Sequence, residues 1–137
     1  TEGGEGIMNF HAQNLMGLMD SLKMCKFTIY GGVNVTEICE WYEAVTGIKT
    51  SVKEMALAGE RIFNLKRLYN VRLGLSRKED GLPERILTTP RNDEGTGNYT
   101  PVLEPMLDEY YEIRGWDRDG IPKRETVERL GLDQKYF

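Results

Sequence analysis

Residues 51–74, with the sequence SVKEMALAGERIFNLKRLYNVRLG, decide the fold of this 137-residue chain. Ser51 followed three residues later by Glu54 is the pattern of a capping box, which begins a helix. Apolar residues then recur at helical spacing through about five or six turns without a proline. They are Met55, Leu57, Ala58, Ile62, Phe63, Leu65, Leu68, Tyr69 and Val71. Gly74 ends the pattern, so the stretch predicts one long helix with a buried face.

Shorter helical patterns flank this long helix on both sides. They cover residues 7–19, 36–45, 103–114 and 122–130. Thr36 is the expected N-cap of the second of these helices, and Gly47 its expected end. Only residues 26–30 have the composition of a strand. The fold class predicted from these patterns is mostly α.

A long segment rich in proline and glycine, residues 75–105, interrupts the helical patterns. It contains Pro83, Pro90 and Pro101 together with Gly81, Gly95 and Gly97. A loop of this length in a small domain is usually functional, mobile or wrapped over a neighbour. We therefore expect an irregular helical domain, or more than one, with a long Pro/Gly-rich loop.

Composition excludes several classes of function. The chain has 18 basic and 22 acidic side chains, a formal charge of −4, which argues against a nucleic-acid partner. No apolar run reaches the roughly 18–20 residues of a membrane span. No signal peptide opens the sequence, so a cytoplasmic location is expected. His11 is the only histidine, which excludes sites built from several histidines.

Two cysteines, Cys25 and Cys39, are too few to hold a structural zinc or an iron–sulfur cluster alone. A disulfide between them is possible on paper but unusual in an intracellular protein. A free cysteine is most often a small core residue, and this is the expected role of Cys39. For Cys25, core packing and completion of a site with ligands elsewhere both remain open. Lys23 and Lys26 beside it are compatible with a stabilised thiolate.

The acidic pairs Glu79–Asp80 and Asp108–Glu109 are weak candidates for acid–base catalysis. Neighbouring residues on a helix do not face each other. We expect both pairs to be solvated surface, and no catalytic residue is assigned to this chain.

Several short stretches carry a more specific signal together than any does alone. The first is DSLKMCKF at residues 20–27. The others are GERIFNL at 59–65, NVR at 70–72, RKED at 77–80, LPER at 82–85, LDEYY at 107–111, RGWD at 114–117 and GIP at 120–122. In order and spacing they resemble the C-terminal part of the aldehyde:ferredoxin oxidoreductases, a family of tungsten-pterin enzymes.

The resemblance implies that residues 1–137 are a C-terminal helical region of a larger enzyme, without its N-terminal β-rich domain. In the full-length protein, a small aldehyde would be oxidised to a carboxylic acid at a tungsten bis-pterin (tungstopterin) cofactor. Electrons would then pass through a [4Fe–4S] cluster to ferredoxin. The fragment alone would be inactive and would hold no cofactor. No membrane or nucleic-acid partner is implied, and a homo-oligomer is compatible with the resemblance.

The same resemblance implies roles for three residues. Cys25 matches the last of four cluster cysteines, of which the other three would lie upstream. Asp20 matches the pterin-bonding aspartate of the pattern Asp-x-x-Gly-Leu-Cys, and Met24 matches its leucine. Lys23 stands in place of the glycine, so a backbone with positive φ is expected to be disfavoured there. The acid–base residues of the family are expected upstream as well.

The alternative is a free-standing helical interaction module with no catalytic role. In that case Cys25 is a core residue and residues 75–105 form a mobile binding arm. If the chain instead packs in a larger enzyme, apolar surface should be exposed within residues 7–30.

Overall fold

The computed structural model describes residues 4–90 and 98–132 of the chain. Within them the backbone forms seven α-helices, a 3₁₀ turn at Arg77–Glu79 and no strand. The helices are α1 (Glu5–Ser21), α2 (Phe27–Tyr30), α3 (Val35–Thr46), α4 (Val52–Arg72), α5 (Glu84–Thr88), α6 (Leu103–Arg114) and α7 (Arg124–Arg129). The prediction of a mostly α fold is confirmed.

The start of α4 is the capping box predicted from the sequence. The N–H of Glu54 donates to Oγ of Ser51 at 3.3 Å, and the N–H of Ser51 donates to Oε2 of Glu54 at 2.8 Å. Each bond satisfies an N–H group that has no partner within the helix. Gly74 follows the helix with φ 92°, as expected of a residue that ends it.

Two local predictions are wrong. Residues 26–30 do not form a strand, because Phe27–Tyr30 is a single helical turn in which the Thr28 hydroxyl donates to the Cys25 carbonyl at 2.8 Å. The N-cap of α3 is Asn34 rather than Thr36. Its side-chain oxygen accepts from the Thr36 N–H at 2.9 Å, and its own N–H donates to Glu37. Asn34 has Glu37 at the capping-box spacing, which Thr36 lacks.

Helix α1 packs on α4 at a close crossing between Asn14 and Gly59. A Cβ atom on Gly59 would lie 2.9 Å from the carbonyl carbon of Asn14 and still closer to its oxygen. One turn further along α1, a Cβ on Gly17 would meet Ile62 at 3.4 Å. Only a residue without a side chain allows the backbones to approach this closely. The crossing places the end of α1 at a fixed position on the long helix.

Polar contacts connect α6 to α1. The guanidinium of Arg114 is fully buried and donates to Asn14 at 2.6 Å and to Gln13 at 2.7 Å. It also stacks 4.0 Å from the ring centroid of Phe63 on α4. At the other end of α1, Glu109 accepts hydrogen bonds from the first backbone N–H groups of the helix, with Gly4 at 2.8 Å. A carboxylate is favourable there because helix N-termini carry partial positive charge.

Two apolar clusters form the core. Leu18, Cys39 and Met55 pack together where α1, α3 and α4 meet. Val127, Leu130 and Leu132 form the second cluster, against the other side of α4. The core role expected for Cys39 is confirmed.

The segment 75–105 is less irregular than the sequence predicted. Its described residues include the 3₁₀ turn at Arg77–Glu79 and the short helix α5. Arg77 holds the turn against α6 through Glu104 at 2.6 Å and Asp108 at 2.7 Å. Residues 91–97, the centre of the predicted loop, lie outside the described residues.

Apolar side chains are exposed within residues 7–30, where they were expected, but others such as Trp41, Val45 and Tyr69 are exposed elsewhere in the chain. Those within residues 7–30 are Ile7, Met8, Phe27 and Tyr30. In the described part of the chain, no helix has the length and apolar character needed to cross a membrane.

Candidate cofactor-binding turn

The three residues predicted to contact cofactors lie in one turn at the end of α1. Asp20 is in the last turn of the helix, and Met24 and Cys25 follow it. The N–H of Lys23 donates to the carbonyl of Asp20 at 3.2 Å. The N–H of Met24 donates to the carbonyl of Met19 at 2.9 Å. These two bonds define a Schellman motif, a common helix ending in which one residue is left-handed.

Lys23 is that left-handed residue, with φ 59°. Among residues 4–90 and 98–132 it is the only non-glycine residue with positive φ. The conformation costs a residue with a Cβ about 1–2 kcal/mol. Lysine is disfavoured in this conformation, as expected, but the backbone adopts it all the same, because the Schellman bonds and the fully buried Met19 hold it in place. The turn therefore keeps the conformation that glycine would adopt.

The polar groups of the turn are open to solvent. Asp20 is exposed, and its carboxylate accepts no hydrogen bond from the part of the chain that the structure describes. Cys25 is a free, exposed cysteine, whereas Met24 is half-buried. Both an accessible thiol and an unpartnered carboxylate are available to bind a group that approaches the turn.

The two cysteines differ in their surroundings. Cys39 is buried beside Leu18 and Met55, and burial raises the pKa of its thiol, as does the nearby carboxylate of Glu54. A high pKa disfavours the thiolate that metals require. Cys25 is exposed and outside the core, so the interpretation of Cys25 as a core residue is wrong. Of the two, only Cys25 is placed to be a ligand.

The turn does not form a complete metal site from its own residues. In the two described ranges, no three His, Cys, Asp or Glu side chains come together to hold a metal ion. A [4Fe–4S] cluster needs four protein ligands, typically thiolates. The donor chemistry of Cys25 thus fits one corner of such a cluster, and the other ligands would have to come from outside this chain.

A second polar constellation, which the sequence did not predict, lines a cavity of about 540 Å³ between α1, α4 and α6. Asp80 accepts two hydrogen bonds from Arg67 and one from Tyr111. Burial raises the pKa of Asp80, but the hydrogen bonds from Arg67 and Tyr111 outweigh it and hold the pKa below its usual value. In the same way, burial and then Asp80 raise the pKa of Tyr111.

This constellation explains why Asp80 is not the solvated carboxylate that the sequence predicted. Its partners lie 13 and 31 residues away in the chain, so no local sequence pattern predicts these contacts. Asp80 is paired with both Arg67 and Tyr111. The arrangement stabilises the fold and leaves no free acid or base for catalysis, which makes the turn at Cys25 the better candidate site.

Comparison with known proteins finds relatives over most of the chain. Residues 1–132 match the family model described as aldehyde ferredoxin oxidoreductase, domains 2 and 3. The tungsten-containing aldehyde ferredoxin oxidoreductase of Pyrococcus furiosus is 34% identical over 125 residues, which is 90% of this chain and 20% of that protein. Its namesake from Thermococcus kodakarensis is 35% identical over 121 residues, 88% of this chain and 20% of the relative.

A solved structure is also similar. It is the active site complex BamBC of benzoyl coenzyme A reductase bound to 1,5-dienoyl-CoA, with a TM-score of 0.58 and 27% identity. The likeness covers 73% of this chain and 14% of the solved one. This chain spans about one fifth of the length of the tungsten-containing relatives that it matches.

Proposed function

The chain belongs to the aldehyde ferredoxin oxidoreductase family, and we propose that it is the C-terminal helical region of a tungstopterin enzyme that oxidises aldehydes to carboxylic acids. The observation that carries the proposal is the turn after α1. It presents the free thiol of Cys25 and the unpartnered carboxylate of Asp20. Between them Lys23 adopts the left-handed conformation, which a residue with a side chain rarely takes.

Cys25 would supply one thiolate to a [4Fe–4S] cluster. Thiolate sulfur is the ligand that such clusters take from proteins. The exposed position of Cys25 lets a group bound mainly by other residues reach it. The bond would also connect this helical region to the part of the enzyme that holds the remaining cluster ligands.

Asp20 would orient the pterin. A carboxylate accepts two N–H donors in parallel, which suits the amino-pyrimidine edge of a pterin. The carboxylate of Asp20 is free for this because no donor in the described part of the chain binds it. Met24, half-buried beside it, would give an apolar contact to the cofactor.

Oxidation of an aldehyde to the carboxylic acid takes its oxygen atom from water and releases two protons and two electrons. The tungstopterin supplies the two-electron redox chemistry when bound, and the protein positions and tunes it. This chain would hold one cluster ligand and one pterin contact, and its helices would cover one side of the site. The two electrons would leave one at a time, each to a ferredoxin.

The proposed substrate class rests on a comparison of identities among several relatives as well as on membership in the family. Another relative, at 28% identity, is named an aliphatic sulfonate oxidoreductase, WOR-like subunit, of Pyrococcus furiosus. The solved structure with 27% identity belongs to a benzoyl coenzyme A reductase. The tungsten-containing aldehyde enzymes are more similar, at 34% and 35%. We therefore propose an aldehyde as the substrate.

The test compares cysteine and aspartate variants of the full-length protein that carries this chain. We expect Cys25→Ala to lose the cluster, measured as iron content and as the EPR signal of the reduced protein. Asp20→Asn should lower tungsten and pterin content while iron is retained. Cys39→Ala is the matched control and should keep both cofactors.

Three outcomes would contradict the proposal. A Cys25→Ala protein with full iron content and an unchanged EPR signal would remove Cys25 from the cluster. A stoichiometric cluster formed on this 137-residue chain alone, after addition of iron and sulfide, would show that no outside ligands are needed. A wild-type protein without iron or tungsten would support the interaction module instead.

A further inference from the structure

Arg114 on α6 is the most deeply buried charged side chain in the part of the chain that the structure describes, with none of its surface exposed. We propose that this buried charge, which no carboxylate balances, raises the reduction potential of the cluster bound at Cys25. The inference rests on the proposed function, in which Cys25 is a cluster ligand. Arg114 would tune the cluster through space, since a fully buried side chain contacts neither cofactor nor substrate.

The hydrogen bonds of Arg114 within residues 4–90 and 98–132 are all with neutral groups. Nε donates to the hydroxyl of Tyr110 at 2.9 Å, and Nη1 donates to the side-chain oxygen of Asn14 at 2.6 Å. Nη2 donates to Gln13 at 2.7 Å and to the carbonyl of Phe10 at 3.4 Å. Burial raises the pKa of Tyr110, so its hydroxyl stays neutral. A guanidinium remains charged in proteins, and a full positive charge therefore lies in the core.

The other deeply buried charges of the described residues have partners of opposite sign. Arg67 pairs with Asp80, and Glu60 pairs with Arg129, each at 2.5 Å. Glu60 also attracts Arg114, but burial outweighs this attraction and lowers the pKa of the Arg114 guanidinium. Arg114 thus differs from Arg67 and Glu60 in having no ion-pair partner to cancel its field.

Aromatic rings surround the buried guanidinium. Four ring centroids lie 4.0–6.0 Å from its central carbon, those of Phe10, Phe63, Tyr110 and Trp116. Cation–π attraction offsets part of the cost of burying a charge. An apolar side chain of similar size would fill the space without that cost, so packing alone does not explain the charge. Because residues of this chain bury Arg114, its surroundings do not depend on what covers the outer surface.

Arg114 contacts the helix whose end carries the candidate cluster ligand. Phe10, Gln13 and Asn14 all belong to α1. With a rise of 1.5 Å per residue along the helix, the guanidinium lies about 15–20 Å from Cys25. At an effective dielectric constant of about 20, one charge at this distance changes a one-electron equilibrium about fivefold. Salt screens a buried charge much less than an exposed one.

The sign of the effect follows from the charge of the electron. Reduction adds one electron to the cluster and forms no bond, so a nearby cation stabilises the reduced form. The end of α1 acts in the opposite direction, because the C-terminus of a helix carries partial negative charge and the last turn of α1 contains no basic residue. The charge of Arg114 would offset this helix end and make the cluster a better electron acceptor.

The test is a redox titration of the full-length enzyme that carries this chain, with the reduced cluster followed by EPR. Asn14→Asp places a carboxylate oxygen where Arg114 already donates at 2.6 Å, with almost no change in side-chain size. The carboxylate would balance the buried charge. We expect the equilibrium constant for reduction to fall about fivefold, which lowers the potential by about 41 mV at 59 mV per factor of ten.

Asn14→Ser is the matched control, since it changes the same contact but leaves Arg114 without a counter-charge. We expect it to keep the potential and the iron content of the wild type. Arg114→Met removes the charge itself and should lower the potential as Asn14→Asp does. Lys23 and Lys26 are present in all of these proteins, so their charges cancel in the comparison. The shift in Asn14→Asp should persist at high salt, because the charges involved are buried.

Three results would overturn the proposal. They are an unchanged potential in Asn14→Asp, an equal shift in Asn14→Asp and Asn14→Ser, and loss of iron from Asn14→Asp. The last two would show that Asn14 acts by holding the helices in place. All three leave the proposed function intact if Cys25→Ala removes a cluster that the wild type holds. A Cys25→Ala enzyme with a full cluster would overturn the proposed function itself, whatever the potential of Asn14→Asp.

Discussion

Arg67 and Asp80 form a bidentate ion pair, with Nη1 to Oδ1 at 2.8 Å and Nη2 to Oδ2 at 2.5 Å. The Arg67 side chain is 8% exposed and that of Asp80 is 25% exposed. Nε of Arg67 also donates to the carbonyl of Gly120 at 2.7 Å, and the hydroxyl of Tyr111 donates to Asp80. The pair thereby connects α4 to α6, to the segment after the 3₁₀ turn and to the turn at Gly120.

Replacement of Asp80 by asparagine should destabilise this chain by about 2–3 kcal/mol, because Arg67 would be left as a buried charge without its partner. Urea unfolding followed by circular dichroism would measure the change. Asp108→Asn is the control, since Asp108 pairs with Arg77 but is 67% exposed, and exposed pairs contribute at most about 1 kcal/mol. Equal losses in the two variants would contradict a special role for the buried pair.

The same pair predicts how stability depends on pH. The pKa of Asp80 is lower in the folded chain than its ordinary value, so the folded state favours the carboxylate. This stabilisation is complete above the unfolded pKa of about 3.9 and is lost as pH falls through the folded pKa. The difference in unfolding free energy between wild type and Asp80→Asn should therefore shrink below about pH 4. A constant difference down to pH 2 would rule out ionised Asp80 as the cause.

Gly59→Ala should destabilise the chain by about 1–3 kcal/mol, although alanine is the better helix former. The added Cβ would overlap the backbone of Asn14, which cannot move without separating α1 from α4. Gly81→Ala is the matched control, since no atom lies within 4 Å of its Cβ position. Thermal unfolding of the two variants checks the prediction, and a Gly59→Ala chain as stable as the wild type would refute the close crossing.

Lys23→Gly should stabilise the chain by about 1 kcal/mol, because glycine adopts the left-handed conformation without the cost to a residue with a Cβ. Chemical denaturation is the measurement. Lys26→Gly is the control, with an ordinary φ of −57°, and should give no gain. If Lys23→Gly were neutral or destabilising, the lysine side chain would be contributing contacts that offset the backbone strain.

The ends and faces of the main helices could be predicted from local sequence. Ser51 and Glu54 begin α4 as expected, and the pattern at 103–114 coincides with α6. Local hydrogen bonds and the apolar period determine such features. The prediction was wrong where two residues competed for one role, as at Asn34 and Thr36, or where a short apolar run favoured strand and helix equally.

The candidate site was predicted by resemblance more than by pattern. Cys25, Asp20 and Met24 lie in one turn, but the spacing alone does not distinguish a ligand from a core cysteine. The exposure of Cys25 and the left-handed Lys23 became known only from the structure. The comparison with the family pattern also indicated that lysine would be disfavoured in this turn. The hydrogen bonds that end α1 and hold Lys23 left-handed could not be inferred from that one residue.

The sequence by itself determined that the chain is helical, where α4 begins, and which turn carries the candidate cysteine. These features depend on contacts between residues three or four apart, which the order of amino acids specifies directly. Only the tertiary structure decided that Asp80 is paired, that Gly59 lies against Asn14 and that Cys39 is core while Cys25 is exposed. Those outcomes depend on residues far apart in the chain, whose proximity is set by how the helices pack.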